Sequence, residues 1–65
     1  MEISVQEYKR VSVMKVAGRV DSATAPELET GLRQMIDSGK TNIVLDLKEV
    51  DYMSSAGLRA MVSTL

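Results

Sequence analysis

The alternation of apolar and polar positions predicts a hairpin at the amino terminus. The first five residues, MEISV, alternate with the period of two that is typical of a strand with one buried face. The polar residues 7–10, EYKR, suit a hairpin connection, and the β-branched residues of 11–20, VSVMKVAGRV, predict a second, antiparallel strand. The apolar phase of this strand changes near Met14, which leaves a bulge and burial on both faces as alternatives.

Helix signals follow the second strand. Thr24 and Glu27 have the spacing of a capping box, and Pro26 is tolerated in a first helical turn, so the helix should begin near Ala25. Gly39 supplies the stop signal.

Aliphatic residues dominate the segment 41–50, TNIVLDLKEV. The uninterrupted run 43–45, followed by Leu47, is typical of a strand that is covered on both faces. A strand, a helix and a strand of these lengths predict a right-handed crossover, which makes the second and third strands parallel neighbours. The expected fold class is therefore α/β, with a mixed sheet and the element order β-β-α-β-α.

Each of the two predicted helices carries an apolar stripe at helical spacing. The stripe of the first helix consists of Leu28, Leu32, Met35 and Ile36. That of the last helix, which begins close to a pair of serines, consists of Leu58, Met61, Val62 and Leu65. We expect both stripes to pack on the sheet.

Composition excludes several classes of function. The 65 residues contain no cysteine and no histidine, so disulfides, the usual zinc sites and a histidine-based triad cannot be built, and we expect no catalytic residue, metal or cofactor. Eight basic against nine acidic residues provide no field that would steer the chain to nucleic acid. The alternating amino terminus predicts neither a signal peptide nor a membrane span, so a cytoplasmic location is expected.

The last predicted helix runs to Leu65 with no returning strand, which leaves the third strand as an apolar edge of the kind that natural domains avoid. We therefore expect 1–65 to be a single domain that lacks its carboxyl-terminal strand and helix units. The alternatives are a disordered remainder and a sheet that is completed by a partner, including self-association through the third-strand edge.

The parallel arrangement places two loops at the same rim of the sheet, because the carboxyl ends of parallel strands lie together. These loops are 18–24, GRVDSAT, and 51–57, DYMSSAG, so Asp21 and Ser55 should be close. A helix that begins beside the serines presents unpaired amide groups that favour an anion. Gly57 would let another surface approach the backbone.

A purely structural interpretation of the same residues is also available. Serine is a preferred helix N-cap, so Ser54 or Ser55 could simply end the turn. Asp21 and Ser22 could be turn or capping residues of the first helix. The residues alone leave both interpretations open.

Two segments of the chain together resemble the amino-terminal half of a STAS domain, the fold of bacterial anti-sigma factor antagonists and of the soluble tails of some anion transporters. They are 16–28, VAGRVDSATAPEL, and 42–65, NIVLDLKEVDYMSSAGLRAMVSTL. They combine a G-x-(V/L)-D loop, an L-D-L strand and a serine turn that ends in A-G-L-R. The resemblance implies a β-β-α-β-α opening that further strand and helix units would follow.

The resemblance also implies a modification site. In the antagonists the turn reads aspartate, serine, serine or threonine, and glycine, and the serine after the aspartate is phosphorylated by an anti-sigma factor with kinase activity. This alignment places Ser55 at the phosphoacceptor position, Ser54 where the aspartate would be and Ala56 at the second hydroxyl position. Asp21 matches an acidic residue of the neighbouring loop.

The implied function is that of an anti-sigma factor antagonist, which binds an anti-sigma factor with serine kinase activity and is switched off by phosphorylation. The residues expected to bind the partner are Asp21, Ser22, Ser54, Ala56, Gly57, Leu58 and Arg59. One alternative is a docking subunit of a transport or signalling complex that works without phosphorylation. Another is nucleotide or anion binding at the same helix end, for which Arg59 is the candidate basic residue.

Overall fold

A computed structural model of the chain describes residues 1–40 and 42–65, and Thr41, which the predicted third strand included, lies outside the described residues. The elements are β1 (Glu2–Glu7), β2 (Ser12–Val20), α1 (Ala25–Asp37), β3 (Ile43–Met53) and α2 (Ser55–Thr64). This order confirms the predicted β-β-α-β-α succession. Within these residues neither helix has the length and hydropathy needed to cross a bilayer.

The described residues form a three-stranded mixed sheet in the order β1-β2-β3. β1 and β2 are antiparallel, with Ile3 opposite Val16, and β2 and β3 are parallel, with Met14 beside Leu45. Both relationships were predicted. The β1–β2 register is unbroken, whereas the β2–β3 register shifts twice, and each shift adds one residue to β3. The extra residues therefore lie in β3, and the bulge considered for β2 near Met14 is not found there, because the buried positions 12, 14, 16 and 20 of β2 keep one phase.

The core lies on one face of the sheet, between the strands and α1. Its fully buried side chains come from alternate positions of β2 and from one stripe of α1: Met14, Val16, Val20, Leu28 and Leu32. Met35 completes the stripe of α1, whereas Ile36 at its edge is partly exposed. Val5 is also exposed, so the burial predicted for β1 is limited to Ile3 and to Met1 just before the strand. Gly39 ends α1 with a φ of 90°, in agreement with the predicted stop.

β3 is not covered on both faces, so this prediction was wrong. Val44 is 48% exposed and pairs with Val13 on the face of the sheet opposite to the core. The helices pack on the other face, where Ile43 and Leu45 join the core. Among the described residues β3 pairs only with β2, so its second edge is open. The apolar run 43–45 therefore consists of two residues that face the core, Ile43 and Leu45, and one between them, Val44, that faces away from it.

The buried stripe of α2 is shifted by one position from the predicted one, so the prediction was wrong for three of its four residues. Gly57 and Ala60 are buried and Met61 and Thr64 are half-buried, which is the spacing i, i+3, i+4, i+7 of a packed face. The predicted apolar residues Leu58, Val62 and Leu65 are exposed instead. The small residues Gly57 and Ala60 allow α2 to pack closely on the sheet. In this orientation of the helix the larger apolar side chains point outward.

Candidate functional site

The two bends predicted to be neighbours are joined by a backbone hydrogen bond. The N–H of Ser54 donates to the carbonyl oxygen of Val20 at 2.8 Å, and Val20 pairs with Met53 at the ends of β2 and β3. The loop that begins at Asp21 therefore starts beside the turn that leads into α2. This arrangement confirms the rim geometry inferred from parallel strands.

Ser54 is the N-cap of α2. Its backbone is extended, with φ −81° and ψ 169°, and its hydroxyl oxygen accepts a hydrogen bond from the N–H of Gly57 at 3.2 Å. This bond satisfies one of the amide groups that have no partner within a first helical turn. The capping interpretation is therefore correct for Ser54.

Ser55 is the first residue of α2, and its side chain is exposed. Within residues 1–40 and 42–65 its hydroxyl takes no part in the hydrogen bonds of the turn, because Ser54 performs the capping. The hydroxyl stands at the positive end of the helix, where additional negative charge is favoured. Of the two serines, Ser55 is thus the one whose oxygen is open to an incoming reactant.

Asp21 organises its own loop. Its Oδ1 atom accepts hydrogen bonds from the backbone N–H groups of Ala23 at 3.0 Å and Thr24 at 3.1 Å, and its Oδ2 atom accepts from Arg19 Nε at 3.1 Å. The Thr24 backbone N–H is the main cause that lowers the pKa of the Asp21 carboxyl below its usual value, and Arg19 acts in the same direction. Both carboxylate oxygens are thus engaged within the loop, whose tip exposes Ser22.

The predicted capping box of α1 does not form. Thr24 occupies the N-cap position, but its backbone has helical angles, φ −101° and ψ −17°, and its side chain makes no cap hydrogen bond. Its hydroxyl instead accepts from the N–H of Asp21 at 2.9 Å and donates to the carbonyl oxygen of Arg19 at 3.1 Å. An N-cap residue whose side chain caps the helix typically has an extended backbone. The turn formed by Asp21 and Thr24 holds Thr24 in a helical conformation instead, so the capping box is not formed.

Arg19 and Tyr52 form a contact at this rim that the pattern of residues does not predict. The Arg19 guanidinium carbon lies 4.1 Å from the centre of the Tyr52 ring, a cation–π arrangement. Arg19 also binds Asp21, so one side chain ties the loop after β2 to the end of β3. The pairing of Arg19 with Tyr52 depends on the two register shifts of β3, which no local pattern reveals.

An exposed surface runs along α2 from the serine turn. Ser55, Leu58, Arg59 and Val62 lie on it at spacings of three and four residues, and Leu58 and Val62 are 52% and 78% exposed. We call these four residues the α2 surface. A groove of about 310 Å³ borders it between the helices, lined by Ser22, Ala25, Pro26, Ala56 and Arg59 among others.

The predicted partner-binding residues differ in their exposure. Ser22, Leu58 and Arg59 are exposed, whereas Asp21, Ser54 and Ala56 are half-buried. Gly57 is buried against the sheet, so the prediction that it receives another surface was wrong for a partner. The surface that approaches Gly57 is the chain's own sheet.

Comparison with known proteins adds a family assignment to this geometry. The family model described as "STAS domain" matches residues 2–65. The chain is 37% identical over 62 residues to the protein BtrV of Bordetella bronchiseptica, an alignment that covers 95% of this chain and 53% of BtrV. It is 44% identical over 52 residues to the anti-sigma-B factor antagonist of Staphylococcus aureus, covering 80% of this chain and 48% of the relative.

The fold is also similar to that of a solved structure. The crystal structure of an anti-sigma factor antagonist from Mycobacterium paratuberculosis superposes with a TM-score of 0.90 and 32% identity, over 97% of this chain and 54% of that one. The chain thus spans about half the length of the relatives that it matches.

Proposed function

This chain belongs to the STAS domain family, and on that basis we propose that it acts as an anti-sigma factor antagonist that binds an anti-sigma factor with serine kinase activity. The relatives named as antagonists support the general role. The observation that carries the proposal is the exposed hydroxyl of Ser55 at the start of α2, beside the exposed apolar residues Leu58 and Val62. Regulation of sigma-dependent transcription would follow from release of the sigma factor by the occupied anti-sigma factor.

Apolar burial would provide much of the affinity for the partner. Full burial of a leucine or valine side chain contributes about 1.5–3 kcal/mol, and Leu58 and Val62 each have about half or more of their surface left to bury. Ser22 and Ala56 extend the contact across the groove beside α1. Asp21 supports this contact indirectly, because it holds the loop that presents Ser22.

Phosphorylation of Ser55 would switch the interaction off. The Oγ atom of Ser55 attacks the γ-phosphorus of ATP held by the partner, a new O–P bond forms, the bond to the β-phosphate oxygen breaks, ADP leaves, and the hydroxyl proton passes to a base of the kinase. The phosphoserine carries a charge of about −1.5 to −2, which a packed interface would have to desolvate. A penalty of about 3 kcal/mol would weaken binding more than a hundredfold.

The test is to incubate the protein with its cognate anti-sigma kinase and ATP and to map the phosphate by mass spectrometry. Phosphate on Ser55, absent in Ser55→Ala, is expected, and Ser55→Asp should bind the anti-sigma factor at least tenfold more weakly. Phosphate on Ser54 alone, or on neither serine, would overturn the assignment. Ser63→Ala provides a matched control, because Ser63 is an exposed serine two turns further along α2.

A docking subunit that works without phosphorylation is the second candidate. The observation that favours it is Ser54, which caps α2 at the position where the resemblance requires an aspartate. A partner that binds the unmodified chain, the Ser55→Ala variant and the phosphorylated chain equally tightly would identify this second function.

A further inference from the structure

We propose that Arg59 is the internal receptor of the phosphate on Ser55, so that the modification is paired within α2 itself. This inference rests on the proposed phosphorylation of Ser55. It goes beyond a simple addition of charge at the interface, because it assigns a specific second residue to the switch.

The positions of the two residues carry the proposal. Ser55 and Arg59 are four residues apart in α2 and both are exposed, so their side chains are neighbours one turn apart on the α2 surface. An anionic residue followed by a cationic one at this spacing is the favourable orientation in a helix. An arginine can also bind two phosphate oxygens at once through its planar guanidinium group.

Arg59 is available for this role. It is the single charged residue of α2, and no salt bridge among the described residues includes it. Acidic groups on two neighbouring elements already have partners. Glu29 of α1 lines the same groove but pairs with Arg33 at 3.3 Å, and Asp21 of the adjacent loop pairs with Arg19.

Pairing would change what the α2 surface offers a partner. Without phosphate, Arg59 presents a cation beside Leu58, which fits an anti-sigma factor with a carboxylate opposite this position. With phosphate, the cation is neutralised and the net charge of the α2 surface changes from +1 to about −0.5 to −1. The same partner carboxylate that is attracted before modification is then repelled.

The test uses protein with phosphoserine encoded at position 55 and follows the phosphate by phosphorus NMR during a pH titration. The Arg59 cation favours the dianionic phosphate, so Arg59→Gln should raise the apparent second pKa of the phosphoserine by about half a unit, the size of an exposed pair. Arg59→Lys keeps the charge and should retain most of the original value. Arg10→Gln, the same change of charge at the opposite end of the sheet, should leave the value unchanged.

An unchanged phosphoserine pKa in Arg59→Gln, or an equal shift in Arg10→Gln, would overturn the proposal. Because phosphoserine is encoded directly, the measurement needs no kinase. A failure of the kinase to modify Ser55 would therefore overturn the proposed function and leave this pairing intact. A phosphoserine pKa that does not depend on Arg59 would overturn the pairing and leave the proposed function intact.

Discussion

Gly57 of α2 lies against Val20 of β2 so closely that a Cβ atom on Gly57 would stand 2.7 Å from Val20 Cγ1. It would also stand 2.5 Å from Met53 Sδ. This contact seats the first turn of α2 on the ends of β2 and β3, next to the hydrogen bond from Ser54 to Val20. The position at which Ser55 is presented therefore depends on the absence of a side chain two residues later.

We expect Gly57→Ala to lower the free energy of unfolding by about 1–3 kcal/mol, because the clash with the stiff Val20 side chain outweighs the gain of about 1 kcal/mol in helix propensity. Urea unfolding measures this. Gly31→Ala in α1 is the matched control: its Cβ would lie 3.1 Å from the mobile Met14 Cε, and the gain of about 1 kcal/mol in helix propensity offsets that contact. An equal loss in the free energy of unfolding of the two variants would contradict the close packing of α2 on the sheet.

The two adjacent serines should separate in a stability measurement. Ser54→Ala removes the cap bond to Gly57 and should cost about 1 kcal/mol of the free energy of unfolding. Ser55→Ala removes an exposed hydroxyl without a cap role and should change it by less than about 0.5 kcal/mol. Thermal or urea unfolding of both variants distinguishes them. A larger loss for Ser55→Ala would show that the cap assignment is wrong.

Acid should weaken the loop that Asp21 organises. Its carboxyl pKa is lowered in the folded state, so its contribution to stability is fully present above the unfolded value of about 3.9 and is lost as the pH falls through the lower folded value. Asp21→Asn should therefore be less stable than the unmodified chain at pH 7, and the difference should shrink below pH ~3.9.

Urea unfolding at both pH values measures the effect of Asp21→Asn. Asp51→Asn, the same change at an exposed position of β3, serves as control because Asp51 receives none of the loop hydrogen bonds. A stability difference for Asp21→Asn that does not depend on pH would contradict the role of the charged carboxylate.

Exposed apolar residues on opposite sides of the molecule should differ in partner binding. Val62→Ser removes apolar area from the α2 surface and should weaken binding to the anti-sigma factor about tenfold, equivalent to about 1.4 kcal/mol. Val44→Ser makes the same chemical change on the uncovered face of the sheet and should leave affinity unchanged. Titration calorimetry measures both. The opposite order of effects would place the partner on the sheet face.

Not all of the site could be predicted from residue patterns. The pair of serines, the adjacent loop and their common rim follow from strand order, and each of these was found in the sequence. The pairing of Arg19 with Tyr52 was not, because it depends on register shifts of β3. For Asp21 the sequence left a turn role and a partner-binding role open, and the hydrogen bonds that it accepts within its own loop agree with the turn role.

Element order and strand directions were determined by the sequence itself, because hydrophobic period, glycine stops and crossover length act locally along the chain. Tertiary structure alone decided which face of α2 is buried and which serine caps it. Gly57 and Ala60 are too small to mark a buried helix face in the sequence pattern, yet their small size permits close packing on the sheet. That packing leaves Leu58, Val62 and the Ser55 hydroxyl on the outside.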